Sequence, residues 1–380
     1  MKLLVISHTE HYKTTEGTIV GHGTTVTELN HLLEIFEEIY HIGVLKAGAV
    51  PGNALPYASE RVTFIALKPY GGKTLMDKLS ILFQAPDTLQ KVGKYLAKTD
   101  VFQFRTPTGM GVYMIPYLSY LSHKKGWFKY AGNWKQDPAP LGYRIQRWLL
   151  KKQHLPVTIN GKWPDAPSHC LAFENPCLSE ENREIGAKII KSKGTERIFK
   201  ICFVGRLEDA KGVDKLIDAL ILLDEERRKA FSVMLVGKGN QEELYKRQVR
   251  EHALPVSFLG LLPQPQVFEK YAESDFLVLP SKSEGFPKVI GEAMNFGCIP
   301  IASDVSSIGQ YIKDGENGFL IKPNTVQALE LIFKRILETE ATVLDRMRKD
   351  NYSLAEKFTY KNYVHRIKNE VIEKHLNLDT

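Results

Sequence analysis

Apolar residues recur along this chain in two alternating rhythms. Short apolar runs at Leu3–Ile6, His41–Leu45, Val62–Leu67, Val101–Phe104, Phe128–Ala131 and Val157–Ile159 read as strands. Between them lie stretches with apolar residues at helical spacing. Residues 25–39 place Leu29, Leu32, Leu33 and Phe36 on one face, and Lys73–Phe83, Asp87–Lys98 and Leu141–Gln153 follow the same rule. The polar stretch His8–Gly23 reads as a loop. The strand–helix rhythm resumes at Ile198 and runs to about Leu320, after which the chain is helical and charged. This alternation predicts an α/β protein with two doubly wound β/α/β domains. The expected division is residues 1–180 as the first domain, 181–197 as an interdomain segment, 198–355 as the second domain and 356–380 as a C-terminal helix.

A chain of 380 residues suits two domains that each bury a core. Hydrophobic residues at 43% and charged residues at 25% are ordinary for a soluble globular protein. The net charge of +7 is uneven: residues 1–180 hold 20 Lys and Arg against 14 Asp and Glu, or +6. That asymmetry points to an acidic partner or an anionic membrane surface for the first half, or to an uneven solvated surface; no nucleic-acid partner is expected. Cys170, Cys177, Cys202 and Cys298 show no C-x-x-C spacing and read as reduced thiols of a cytoplasmic protein. No apolar stretch approaches the roughly 20 residues that span a bilayer. The segment Leu141–Lys152 is basic, amphipathic and carries Trp148; it reads as a core-facing surface helix or a helix resting on an anionic membrane face. His8, His11, His22 and His31 cluster without the spacing of a metal site.

The segment Pro280–Met294 carries the most chemistry. Phe276–Leu279 is a strand, and Pro287 suits the first turn of a helix that follows at once. Such a loop brings backbone N–H groups and a positive dipole end to the carboxyl edge of a sheet, where phosphate-bearing ligands bind. Glu284 and Glu292 bracket it. Upstream, Arg206 follows the strand Ile201–Val204 and Lys211 lies near the next helix start. A guanidinium and an ammonium there suit a diphosphate. The glutamates are poor candidates for a glycosidase pair. Eight helical steps separate their backbones by roughly 12 Å, against about 5–9.5 Å between such carboxylates.

The run Glu284-Gly285-Phe286-Pro287, with Glu292-Ala293-Met294 after it, resembles the retaining nucleotide-sugar glycosyltransferases of family four, glycosyltransferase group 1, which have the two-domain GT-B fold. Gly205-Arg206-Leu207 with Lys211-Gly212, Val236-Gly237-Lys238-Gly239, Phe258-Leu259-Gly260 and Asp314–Leu320 follow in the family's order, so the likeness covers about Ile198–Pro323. It implies two Rossmann-like domains facing a cleft, with a C-terminal helix that crosses back to the first. It implies that Arg206 and Lys211 hold the leaving diphosphate, that Glu284 contacts the transferred sugar and that Glu292 contacts the ribose. Gly285, Phe286, Pro287, Lys288, Gly205, Gly237 and Gly260 would line the donor site. Gly21 and Gly23 are candidates for the family's glycine loop beside the acceptor, expected here as a flexible loop longer than the family's. Asn133 is the candidate for a position where many members carry histidine.

The chain contains no D-x-D carboxylate pair, so no metal or other cofactor is expected. The expected activity is transfer of a sugar from a nucleoside-diphosphate donor to a glycan or lipid-linked hydroxyl, as in lipopolysaccharide or capsule synthesis. The expected location is the cytoplasm, with contact to the inner membrane face. Rival readings are a GT-B epimerase or phosphorylase, and an inactive nucleotide-sugar-binding subunit.

Overall fold

The computed structural model describes residues 1–72, 80–194 and 198–378. The chain forms two compact units, Met1–Asn175 with Tyr360–Thr380, and Pro176–Thr359.

The first unit is built on β1 (Lys2–Lys13), β2 (Ile19–His22), α1 (Gly23–Leu32), β3 (Glu38–Leu45), β4 (Ala54–Pro56), β5 (Val62–Leu67), α2 (Ala85–Leu96), β6 (Val101–Thr106), α3 (Gly111–Pro116), β7 (Gly126–Tyr130), α4 (Leu141–Lys152), β8 (Val157–Ile159) and β9 (Cys170–Ala172). The strands β5, β3, β1, β6, β7, β8 and β9 lie side by side and parallel, while β2 and β4 add an antiparallel edge to the far end of β1. Leu3, Leu4, Val5 and Ile6 are fully buried, as suits a strand covered on both faces.

Two expectations are corrected here. His8–Gly23 is no long loop: β1 continues to Lys13 and turns back through residues 14–18 into β2. Its polar residues hid the strand because they are satisfied inside the fold, His11 by Thr9 and Tyr57. The first helix ends at Leu32, not Ile39, because Glu38 and Ile39 pair with Lys2 and Leu3 of β1. Leu33 and Phe36 still enter the same core. Of the Lys73–Phe83 pattern, residues 73–79 lie outside the described residues.

The second unit comprises α5 (Glu180–Ser192), β10 (Phe199–Val204), α6 (Val213–Leu222), α7 (Glu225–Arg228), β11 (Phe231–Val236), α8 (Glu242–Glu251), β12 (Val256–Gly260), α9 (Gln264–Glu273), β13 (Phe276–Leu279), α10 (Lys288–Asn295), β14 (Ile299–Ser303), α11 (Ile308–Tyr311), β15 (Phe319–Ile321), α12 (Val326–Glu338) and α13 (Ala341–Ala355). Its six strands are all parallel, in the order β12-β11-β10-β13-β14-β15. The order reverses between β10 and β13, so the loops leaving those two strands open the crevice where such sheets take ligands. The polar stretch read as an interdomain segment forms α5. Ser179 caps it through a reciprocal pair of bonds with Asn182, and Arg183 ties it to Asn295 and to the Tyr352 carbonyl.

After Thr359 the chain returns to the first unit as α14 (Tyr360–Arg366). Tyr363 donates to Glu28 of α1 at 2.8 Å, and Tyr360 stacks on His31 at 4.3 Å between ring centres. Glu28 is 3% exposed and also meets Arg105 at 2.8 Å and Lys129 at 2.6 Å. One carboxylate so ties α14, α1 and two neighbouring strands together. Among the described residues no helix is long and apolar enough to cross a membrane.

Candidate active site

The loops after β10, β11 and β13 interlock through their backbones. The Gly205 amide donates to the Val236 carbonyl, Leu207 to Lys238 and Gly237 to Gly260. Lys282 donates to Ala210, which knits the β13 loop to the β10 loop. Two glycines are required by this contact. Gly237 has φ +139°, and a Cβ on it would lie 1.8 Å from the Gly205 carbonyl oxygen. Gly212 has φ +78°, and a Cβ there would lie 2.1 Å from the oxygen of Pro280. The chain therefore approaches itself closely at the switch point and leaves the loop edges as backbone.

That interlock brings Lys211 and Glu284 into contact, with Nζ 2.5 Å from Oε1. Glu284 is 11% exposed and Lys211 25%. Arg206 is not drawn in: its guanidinium pairs with Glu208 at 3.0 Å and remains 73% exposed. Phe286 packs inward, stacked on Phe358 at 4.7 Å with the planes 4° apart, and against Tyr311. Gly285 accepts a hydrogen bond from Ser307. Asn324 donates to Ser281 and supports the strand end. Asp209, in the β10 loop, is held below its ordinary range by bonds from Gln241 and Tyr245.

Pro287 is extended, with ψ 128°, and stands before the helix; α10 starts at Lys288. Glu292 thus stands one turn into the helix. It is 8% exposed and accepts from the Tyr271 hydroxyl at 3.3 Å. Burial pushes its carboxyl up to about 7, against the pull of Lys288, Tyr271 and Gln264. Lys238 after β11, Lys282 after β13 and Lys288 at the start of α10 have no ion pair among the described residues.

The remaining candidates belong to the first unit. Gly21 lies on β2, where a Cβ would strike the His11 ring at 2.5 Å; Gly23 opens α1 against the Asn53 carbonyl. They pack strands and a helix start closely, so the expected flexible loop is corrected. Asn133 follows β7; its side chain accepts from the Lys135 amide and its carbonyl from Arg147. Arg147 also donates to Trp134 and Gln136, and Lys151 pairs with Asp165.

Sequence reasoning missed a closed hydrogen-bond ring beside these glycines. The His11 Nδ1–H donates to the Thr9 carbonyl, so its Nε2 accepts from Tyr57. Tyr57 then accepts from Nδ1–H of His41, and Nε2 of His41 accepts from Ser7, which accepts from the Thr9 amide. Every member is neutral and each tautomer is fixed by its neighbour. Burial holds His11 down to about 4 and His41 well below its ordinary value. Ring members are separated by up to 50 positions, and no local motif marks them. Tyr271 was missed for the same reason.

Residues 186–354 match the family of glycosyl transferases group 1. The match covers 169 of the chain's 380 residues and lies within the second unit. The chain is 35% identical over 140 residues to an uncharacterized glycosyltransferase, MJ1178, of Methanocaldococcus jannaschii, covering 36% of each chain. It is 29% identical over 154 residues to the amylovoran biosynthesis glycosyltransferase AmsK of Erwinia amylovora, covering 38% of each. The matched part spans between a quarter and two-fifths of the length of such curated relatives. The likeness in fold extends over the whole chain. The structure of Anabaena Alr3699/HepE in complex with UDP-glucose aligns with TM-score 0.67 at 17% identity, over 98% of this chain and 99% of that one. The fold is GT-B.

Proposed function

We propose that this chain is a retaining, metal-independent glycosyltransferase that moves a sugar from a nucleoside-diphosphate donor to a hydroxyl in the synthesis of a cell-surface glycan or polysaccharide. The observation that carries this reading is the contact of Lys211 with Glu284 at the start of α10. A cation suited to a diphosphate and a carboxylate suited to sugar hydroxyls stand side by side. A ligand with a diphosphate on its anomeric carbon addresses both. Glu292 accepts the ribose hydroxyls, and Arg206, Lys211 and the α10 dipole offset charge on the departing diphosphate. The bond from the anomeric carbon to the phosphate oxygen breaks, and the acceptor oxygen bonds that carbon on the same face. The acceptor's proton passes to the departing phosphate oxygen. The UDP-glucose held by the Anabaena protein supports a UDP-sugar as the first donor to test, and the amylovoran relative supports a polysaccharide setting.

The first unit takes the acceptor in this reading, with Gly21, Gly23 and Asn133 near it. A specific observation also supports contact of this unit with an anionic membrane face. Residues 101–164 hold ten Lys and Arg and one acidic residue, Asp137. On α4, Leu141, Ile145 and Trp148 are exposed beside Arg144 and Lys152. The deciding experiment incubates the protein with a panel of nucleoside-diphosphate sugars and hydroxyl acceptors in excess chelator. Transfer with the donor's anomeric configuration kept is the expected result. Activity restored only by Mn²⁺, an inverted product, or binding without turnover of any donor would each overturn a named part of the reading.

A further inference from the structure

The sequence motifs account for Glu292 but not for what holds it. Its carboxyl lies under α10 against α9, and the group facing it there is Tyr271, wholly buried, whose hydroxyl donates to Oε2 at 3.3 Å. Tyr271 is fixed in turn. Its carbonyl accepts from the Cys298 thiol at 3.1 Å and from Lys193 at 3.4 Å. Its ring lies 6.4 Å from that of Phe268, which packs on Phe296 just after α10. The charged and titratable groups facing Glu292 are Lys288 on its own helix, Tyr271 on α9 with the polar Gln264, and Cys177 ahead of α5. Lys288 is the single cation among them.

We infer that Tyr271 is a positioning residue for nucleotide binding, whose hydroxyl holds Glu292 ionised and aimed so that the carboxylate can accept a vicinal pair of hydroxyls. The inference rests on the reading of Glu292 as the ribose contact. A buried carboxylate has little water to stabilise its charge, and a neutral carboxyl accepts less well. A donor built into the fold supplies that stabilisation without entropy lost at the moment of binding. The raised titration point of Glu292, about 7, fits a carboxyl that is only partly held in the charged form near neutral pH. Removing the Tyr271 hydroxyl would move that point further up, because the bond favours the ionised form.

The test is calorimetric affinity for UDP, or for the tightest of UDP, GDP, ADP, CDP and dTDP, from about pH 5.5 to about pH 8.5. The variants are Tyr271→Phe, Glu292→Gln and the double variant. The Glu292→Gln profile is the baseline, since the ligand's own phosphate titrates near pH 6. Above that baseline the wild type is expected to lose affinity below a midpoint near 7, by about thirtyfold at the acid end. Tyr271→Phe is expected to keep the alkaline plateau within about twofold and raise the midpoint by about one pH unit. The double variant is expected to match Glu292→Gln, because a residue acting through another adds nothing once that residue is gone. A loss in Tyr271→Phe that is equal at every pH, or that adds to Glu292→Gln, would show a structural role and overturn the proposal. So would an unchanged profile. Fluorotyrosine placed at 271 serves if Tyr271→Phe fails to fold. As a stronger donor of nearly the same size it is expected to lower the midpoint, and no shift, or a rise, refutes the inference. Wild-type affinity in Glu292→Gln at all pH values would instead remove the ribose reading itself, and no binding of any nucleotide to the wild type would remove both.

Discussion

Removing Glu284 is expected to tighten the free nucleotide and weaken the reaction. The Lys211 ammonium is held by Glu284 at 2.5 Å, so a diphosphate must compete with that carboxylate. At this distance and an effective dielectric of about 20 the gross attraction is ~6–7 kcal/mol. Desolvation offsets most of it, and hydrogen bonds to charged groups contribute about 1.5–3 kcal/mol net. With Lys211 25% exposed, screening lowers this to about 1–2 kcal/mol. Freeing Lys211 is then expected to tighten UDP by about 5–30-fold in Glu284→Ala. Under the proposed function the same change also removes a contact to the reacting sugar, so kcat for the full donor is expected to fall by about 10²–10³-fold. Lys211→Ala goes the other way, weakening the nucleotide and leaving Glu284 without its cation. Calorimetry with UDP on wild type and both variants, beside single-turnover transfer rates, reads these signs directly. If Glu284→Ala loses nucleotide affinity as Lys211→Ala does, the competition drawn from the ion pair is wrong.

Arg206→Ala is expected to lower kcat/KM by about 10²–10³-fold with a melting temperature near that of the wild type, since its side chain is 73% exposed; near-native kinetics would refute its role. The His11–Tyr57–His41–Ser7 ring makes stability depend on acid. The unfolded histidine takes a proton near pH 6.5 and folded His11 only near 4, so this contribution is complete above pH 6.5 and is lost as pH falls toward 4. It is worth about 3 kcal/mol for His11. Urea titrations at several pH values should show wild type losing stability over this window, and His11→Gln losing less; equal slopes would count against the ring. Ile145→Glu with Trp148→Glu should weaken binding to anionic vesicles and leave nucleotide affinity alone, whereas unchanged vesicle binding, or binding indifferent to salt, would remove α4 as the contact.

The second unit was legible because the interlock of its loops is made of backbone. Close approach of the loops at Gly212, Gly237 and Gly239 excludes side chains at fixed positions, and those exclusions appear in the sequence as glycines at set spacings. The β/α rhythm from Phe199 to Ile321 could be read for a similar reason: parallel strands buried on both faces must be apolar throughout. What could not be read there was direction. Nothing in the sequence distinguishes a Glu292 that faces solvent beside Lys288 from one that faces Tyr271. Helix spacing allows both, and packing of α10 on α9 decides.

The first unit was harder because its polar positions are satisfied by partners far away in the chain. A strand whose inward residues are Ser7 and His11 breaks the apolar alternation, so β1 looked finished at Ile6 and its outer half looked like a loop. The ring shows why those residues can nonetheless be buried. Each donor meets one acceptor, and the circuit starts and ends on the backbone of Thr9. Replacing one member leaves its neighbours buried without partners, which costs more than the lost bond itself. The same logic holds for Glu28, which meets Arg105, Lys129 and Tyr363 from two strands and the returning helix. Polar residues that only a complete fold can satisfy are invisible to local pattern. They are also what ties the end of the chain to its beginning.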